Sequence, residues 1–268
     1  MTEPLTAAER LFGVTLLGCT PTGVQAACHL PTRAHGSSHV IGRLGLLADM
    51  TAGRTVRAFL PPELVIRTAN LRVDVGDRPP RSGETIRATG ALLASSAAHA
   101  LSEAVLTAPD GAVVARCTAR FIIVAGAEPA RQRRLGLQPD AAPAPLESMP
   151  GLSERVEPGC VVLTARPDAR FGNHDGMMHG GVQVALADAA LHAAAREAGG
   201  GEPALIDMTV RYMRPIPVDG STIELQATVE RAGRLVTVTR ARGSDEQGRL
   251  LMTAEATFSS ARRVRMDE

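Results

Sequence analysis

The chain has 268 residues, 44% of them hydrophobic, which is enough for a sizeable core and for two domains of ordinary size. Charged residues make up 21% and nearly cancel, leaving +1, so no general electrostatic pull toward nucleic acid or an anionic membrane is expected. Aromatics are only 2%, with no Trp and one Tyr, which leaves few faces on which single-stranded bases could stack.

The first residues, Met1-Thr2-Glu3-Pro4, lack the basic start and apolar stretch of a secretory signal. No run approaches 18 uninterrupted apolar residues, so no membrane span is expected. Cys19, Cys28, Cys117 and Cys160 form no C-x-x-C pair, and neither a zinc site nor a redox motif is visible. The expectation is a reduced, cytoplasmic, soluble protein.

The chain repeats itself. Residues 70–121 lie on residues 207–258 without a gap at an offset of 137, and nine of the 52 pairs are identical. The identities include the turn glycines Gly83/Gly220 and Gly111/Gly248 and the strand pairs Val73/Val210, Ile86/Ile223 and Phe121/Phe258. Further upstream the offset becomes 139, and Gly42, Leu47, Ala48 and Asp49 meet Gly181, Leu186, Ala187 and Asp188. Residues 1–125 therefore read as one domain and 151–268 as another. Residues 126–150 between them hold Arg131-Gln132-Arg133-Arg134 and a Pro/Ala-rich run from Pro139 to Pro145, read as an extended linker that buries little.

In the second copy, Cys160–Ala165 reads as a strand. Gly180-Gly181 then opens an Ala- and Leu-rich segment, Val182 to Ala198, that ends at Gly199-Gly200-Gly201, a helix signal with a clear stop. Apolar and polar residues alternate from Thr222 to Glu230 and again from Leu250 to Phe258, with a further strand from Leu235 to Ala241. Each copy thus reads as strand, long apolar helix, then a four-stranded antiparallel meander. A helix apolar on most faces needs wrapping, which a curved antiparallel sheet supplies. This α+β arrangement is a tandem (double) hot-dog, whose two sheets can pair edge to edge as an internal pseudo-dimer.

Residues 173–188 read N-x-x-G-x-x-H-G-G-x-x-x-x-L-x-D, with Asn173, His179, Gly180 and Asp188 at the diagnostic places. The run resembles the signature of PaaI-type hot-dog thioesterases of the 4-hydroxybenzoyl-CoA thioesterase (4HBT) superfamily. Asp207 to Pro215 is similar to the strand that follows the helix there. The resemblance covers most of residues 155–260 and, more loosely, 12–124.

Thioester hydrolysis builds negative charge on the carbonyl oxygen. A helix N-terminal N–H is already aimed at such a charge, and glycine allows close approach, so Gly180 is the expected oxyanion donor. Asn173 and His179 would orient the thioester. A carboxylate must activate water or attack the carbonyl itself.

The resemblance implies a site between two copies, with the Asn and Gly from one and the carboxylate and a hydroxyl from the other. The second copy keeps the loop residues, where the first has Ala34, Val40 and Ile41. The first copy keeps Asp49 and places Thr68 at the hydroxyl position, where the second has Leu205. One composite site is expected, with Asp49 as base or nucleophile and Asp188 as a remnant.

The functional expectation is an acyl-CoA thioesterase that needs no cofactor, CoA being part of the substrate, and no metal. His174, Asp175, His179, Asp188 and His192 have no recognised zinc spacing. The rival reading is a non-catalytic acyl-CoA-binding protein. Acyl-carrier-protein thioesters are a rival substrate, and the Asp–His pair of a hot-dog hydratase is not found. A homo-oligomer, a dimer of double hot-dogs, is expected by analogy.

Overall fold

The structure is a computed structural model that describes residues 4–20, 22–31, 38–76, 78–125, 145–199 and 202–259. A short helix, α1 (Ala7–Leu11), comes first. Strands β1 (Val14–Thr20) and β2 (Gly23–His29) lead into helix α2 (Ser38–Ala58). Four strands follow, β3 (Leu64–Val75), β4 (Thr85–Ser95), β5 (His99–Thr107) and β6 (Val113–Ala125). The second half repeats the plan with β7 (Ser153–Glu157), β8 (Cys160–Ala165), helix α3 (Gly180–Gly199), β9 (Ala204–Tyr212), β10 (Ile223–Ala232), β11 (Val236–Asp245) and β12 (Leu250–Ser259).

All twelve strands join one sheet in the order β1-β2-β4-β5-β6-β3-β9-β12-β11-β10-β8-β7. The expected four-stranded meander is corrected here. Only β4-β5-β6 and β10-β11-β12 are meanders, and the strand after each helix lies beyond the last strand of its half. The reason is the length of the helix. A 20-residue helix is about 30 Å long and carries the chain across the four inter-strand steps from β8 to β9, about 19 Å.

That crossover leaves β3 and β9 as the inner edges, and they pair antiparallel with Arg72 opposite Thr209. These two residues are counterparts in the repeat, so the two halves are arranged about a local twofold through this pair. Leu71–Val210 and Val73–Met208 are the same contact seen from each side. The repeated turn glycines behave alike: Gly83 and Gly220 have φ of 82° and 85°, and Gly111 and Gly248 have 87° and 73°. This left-handed backbone region suits glycine, and it explains why these residues recur.

α3 is buried from Gly181 to Ala195 with Ala189 alone partly exposed, as an all-round apolar helix requires. It packs on β8, β10 and β11, and α2 packs on β2, β4 and β5. Four of the five Phe residues, Phe12, Phe121, Phe171 and Phe258, are completely buried and supply the bulk that Trp would otherwise give. Residues 126–144 of the expected linker lie outside the described residues. Its last part departs from expectation, because Leu146 and Met149 are buried in the core rather than extended in solvent.

The two helices pack against each other through glycine. A Cβ on Gly42 would come within 2.9 Å of Ala185 Cβ, and one on Gly45 within 2.4 Å of Val184 Cγ1. One on Gly181 would lie 2.2 Å from the Leu46 Cα, a backbone atom that cannot swing aside. Gly181→Ala is therefore expected to destabilise the fold by at least about 2 kcal/mol, an overpacking cost. Gly199→Ala, where nothing lies within 4 Å, should leave stability almost unchanged. Equilibrium urea unfolding of the two variants tests this.

Candidate active site

The helix crossing brings the N-terminus of α3 onto the middle of α2, where Asp49 points inward and is 6% exposed. Asp49 Oδ2 accepts the Gly181 N–H at 3.0 Å and lies 3.3 Å from His179 Nδ1. Thr68, on β3, donates its hydroxyl to Asp49 Oδ1 at 3.4 Å. A Cβ on Gly180 would sit 2.7 Å from Asp49 Oδ2, so this position has no room for a side chain. Tyr212, on β9, donates its hydroxyl to the Gly180 carbonyl at 3.2 Å. The structure thus brings together Asp49 and Thr68 of the first half with His179, Gly180 and Gly181 of the second.

Sequence reasoning missed what lies behind His179. Glu9, on α1, is 3% exposed, and its Oε1 lies 3.5 Å from His179 Nε2. Glu9 Oε2 accepts from Arg54 at 2.9 Å and from the Thr6 backbone N–H at 2.7 Å. Thr6-Ala7-Ala8-Glu9 carries a capping-box pattern, and both reciprocal bonds form. That pattern could locate a helix start, but not the reach of Glu9 into a site formed by distant segments.

The charges are coupled. Burial raises the pKa of Asp49, and the charge of His179, the Gly181 N–H and Thr68 oppose it only in part. Burial works against a charged His179, yet the Glu9 hydrogen bond and the charges of Asp49 and Glu9 hold its pKa above the ordinary imidazole value. Burial also works against an ionised Glu9, but His179 and Arg54 outweigh it and bring its pKa down to about 2. Glu9 is therefore a fixed carboxylate, placed where its charge favours a protonated His179. Burial and the nearby Asp49 charge hold the Tyr212 phenol far above its usual range, so it remains a neutral donor.

Asn173 does not reach Asp49. Its Oδ1 accepts the N–H groups of Asp175 and Met177 at 2.9 and 3.1 Å, which folds the loop ahead of α3. Asp175 pairs with Arg67, the neighbour of Thr68 on β3, and so ties this loop to the first half. His179 closes the loop: its N–H bonds the Phe171 carbonyl at 2.9 Å, and its carbonyl accepts from Val182 and Gln183 at the head of α3.

The counterpart of Asp49 is differently placed. Asp188 is 1% exposed and bonds His192 Nδ1 at 2.9 Å, one turn along α3. His192 stacks edge-on against Phe258, with ring centroids 4.7 Å apart. In the first half the position of His192 is Gly53, facing Phe121 and Ile66. Leu205 lies opposite Phe258 as Thr68 lies opposite Phe121, each at a strand irregularity. Ala34 lies outside the described residues. Val40 and Ile41 fall within α2, which begins at Ser38, so the first half is already helical where the second still has the His179 loop. The residues once weighed as a metal set are separated: Asp175 pairs with Arg67, His179 with Asp49 and Glu9, and Asp188 with His192.

Residues 175–252 match the family model described as Thioesterase superfamily. No curated protein matches the chain. Among solved structures, a tesB protein of Mycobacterium avium subs. paratuberculosis aligns with a TM-score of 0.67 at 14% identity, covering 95% of this chain and 99% of that one. An acyl-CoA thioesterase II, TesB2, of Mycobacterium marinum aligns at 0.65 and 13% identity, covering 94% and 97%. A 12:0-ACP thioesterase of Umbellularia californica aligns at 0.55 and 12% identity, covering 87% and 93%. The resemblance to hot-dog thioesterases seen in the sequence thus extends, as fold, over nearly the whole chain. No helix among the described residues is long and apolar enough to cross a membrane.

The depressed pKa of Glu9 makes stability depend on pH. A carboxylate whose folded pKa is lowered contributes stability above its unfolded value of 4.5, and this is lost as pH falls toward about 2. The linkage is on the order of 3 kcal/mol. Glu9→Gln should be less stable than wild type at neutral pH, and the gap should close between these limits. Urea midpoints measured across that range check it.

Proposed function

We propose that the chain is an acyl-CoA thioesterase with one composite site per chain, built from both halves. The observation that carries this reading is the Asp49 carboxylate of α2, held at the N-terminus of α3 beside His179 and within reach of Thr68. These are the three parts thioester hydrolysis needs: a carboxylate, a hydroxyl to orient it, and helix N-terminal donors for a developing oxyanion.

In this reading the thioester carbonyl lies at the head of α3, with its oxygen toward the Gly180 N–H. Asp49 takes a proton from water as the oxygen adds to the carbonyl carbon. The tetrahedral intermediate then expels the CoA thiolate, which receives the proton. Direct attack by Asp49, giving an acyl anhydride, is the other route. Single-turnover hydrolysis in ¹⁸O water separates them, since general-base attack puts the label in the released acid and an anhydride opened at its Asp49 carbonyl puts it in the enzyme's carboxylate. Asn173 is read as orienting the thioester from the preceding loop, its amide NH₂ being the end not used in the loop's own turn. No cofactor or metal enters the scheme. The double hot-dog is read as one subunit of a dimer.

Free-thiol release from a panel of acyl-CoAs is the primary test. Asp49→Asn should lose at least about 100-fold in kcat, the scale of losing an essential acid–base group. Asp188→Asn should stay within a few-fold of wild type, because Asp188 is buried along α3 with its Oδ1 bonded to His192. If only Asp188→Asn loses activity, the composite site is wrong. If wild type binds acyl-CoA without thiol release, the binding-protein reading replaces this one. Acyl-carrier-protein thioesters run in parallel decide between carriers.

The pH profile carries a second expectation. Asp49 must be ionised to act, and burial raises its pKa above 3.8. Activity should therefore fall as pH drops through a midpoint above that of an exposed aspartate, as read from kcat between pH 4 and 8.

A further inference from the structure

Glu9 takes no part in the scheme above, yet it is the most constrained ionised group near it. It is buried, sits on a five-residue helix far from the motif in sequence, and is held from two sides by Arg54 and the Thr6 backbone. Its remaining oxygen faces His179 Nε2. The opposite ring nitrogen, His179 Nδ1, faces Asp49 Oδ2 at 3.3 Å and the Gly181 N–H at 3.1 Å. Glu9, His179 and Asp49 therefore form one line across α1, the α3 loop and α2.

Elementary chemistry restricts what this line can do. In the neutral ring, Nδ1 accepts from Gly181, so the ring proton sits on Nε2, toward Glu9. Nδ1 has a single lone pair, and the Gly181 N–H that shares it also lies 3.0 Å from Asp49 Oδ2, so this donor stays with the carboxylate when Nδ1 takes a proton from Asp49. A buried carboxylate behind an imidazole fixes its tautomer and stabilises the imidazolium, the general logic of carboxylate–histidine pairs in acid–base sites.

We propose that Glu9 is a positioning residue for the hydrolytic reaction: it orients His179 so that Nδ1 takes the proton Asp49 removes from water, and it stabilises the resulting imidazolium. This rests on the thioesterase reading. A water O–H bond breaks, its oxygen bonds the carbonyl carbon and its proton goes to Asp49. The proton passes to His179 Nδ1, restoring the Asp49 carboxylate. When the C–S bond breaks, the proton returns through Asp49 to the thiolate and leaves a neutral ring. Nothing is oxidised or reduced. The groups facing His179 are Glu9 from α1 and Asp49 and Arg54 from α2, with Tyr212 of β9 held neutral beside Gly180.

The test compares wild type, Glu9→Gln and Glu9→Asp by two measurements. One is the pH profile of kcat for thiol release. The other is ¹⁵N NMR of the His179 ring, assigned by its loss in His179→Gln. Circular dichroism and urea unfolding confirm that each variant is folded at the assay temperature.

In Glu9→Gln the plateau of kcat should fall about tenfold, less than the roughly 100-fold of a direct general acid–base group, because Glu9 acts only through His179. Its acid limb should move to lower pH, and the His179 titration should move down with it. Glu9→Asp keeps the charge and should restore the position of the limb, though not the whole of kcat. A folded Glu9→Gln with an unmoved limb and an unmoved His179 titration overturns the proposal, whatever its kcat, because a merely structural residue gives that result. A wild type that releases no thiol defeats the thioesterase reading instead. The NMR titration then still decides whether Glu9 governs His179.

Discussion

The site depends on how closely two helices can approach. Gly42, Gly45 and Gly181 allow the backbones of α2 and α3 to meet where any side chain would hold them apart. That contact sets the head of α3 directly on Asp49. The helix-end N–H groups and the carboxylate then stabilise each other, because the positive end of the helix dipole favours a negative charge. The glycines have two tasks along the chain: Gly180 leaves space beside the Asp49 carboxylate, and Gly181 allows the crossing and also supplies the N–H that holds Asp49 Oδ2.

The sheet makes this crossing possible. Each helix carries the chain over its own half, so that the strand following it becomes the inner edge. Pairing of β3 with β9 about Arg72 and Thr209 closes both inner edges at once and, among the described strands, leaves β1 and β7 as outer edges. Thr68 and Tyr212 lie on these two inner strands, and for that reason they end up near the helix crossing rather than at the rim.

Much of this was legible in the sequence, for physical reasons that differ by residue. The turn glycines Gly83, Gly111, Gly220 and Gly248 mark the repeat because a left-handed backbone leaves few other residues possible. Strand alternation located β10 to β12 to within a few residues. The helix motif pointed to Asp49, His179, Gly180 and Thr68, which the fold does assemble. Asn173 was less legible, since its side-chain oxygen is used within its own turn. The position of β9 beyond β12 could not be read, because alternation identifies a strand without naming its neighbour. Glu9, Arg54 and Tyr212 were missed for the same reason: each reaches the site only through tertiary packing. Leu146 and Met149 were misjudged because Pro and Ala around them dominate the local composition.

In a dimer of identical subunits both interfacial sites must carry the same side chains, so any change that weakens one weakens the other. A chain holding both copies is free of that constraint. Here Asp188, His192 and Phe258 have become a packed internal unit, while the first half has a glycine, Gly53, at the place His192 fills in the other half. Of the two positions related by the local twofold, one is thus filled by packing, and under the proposed function the other is the composite site, which would set the stoichiometric ceiling at a single bound acyl group per polypeptide.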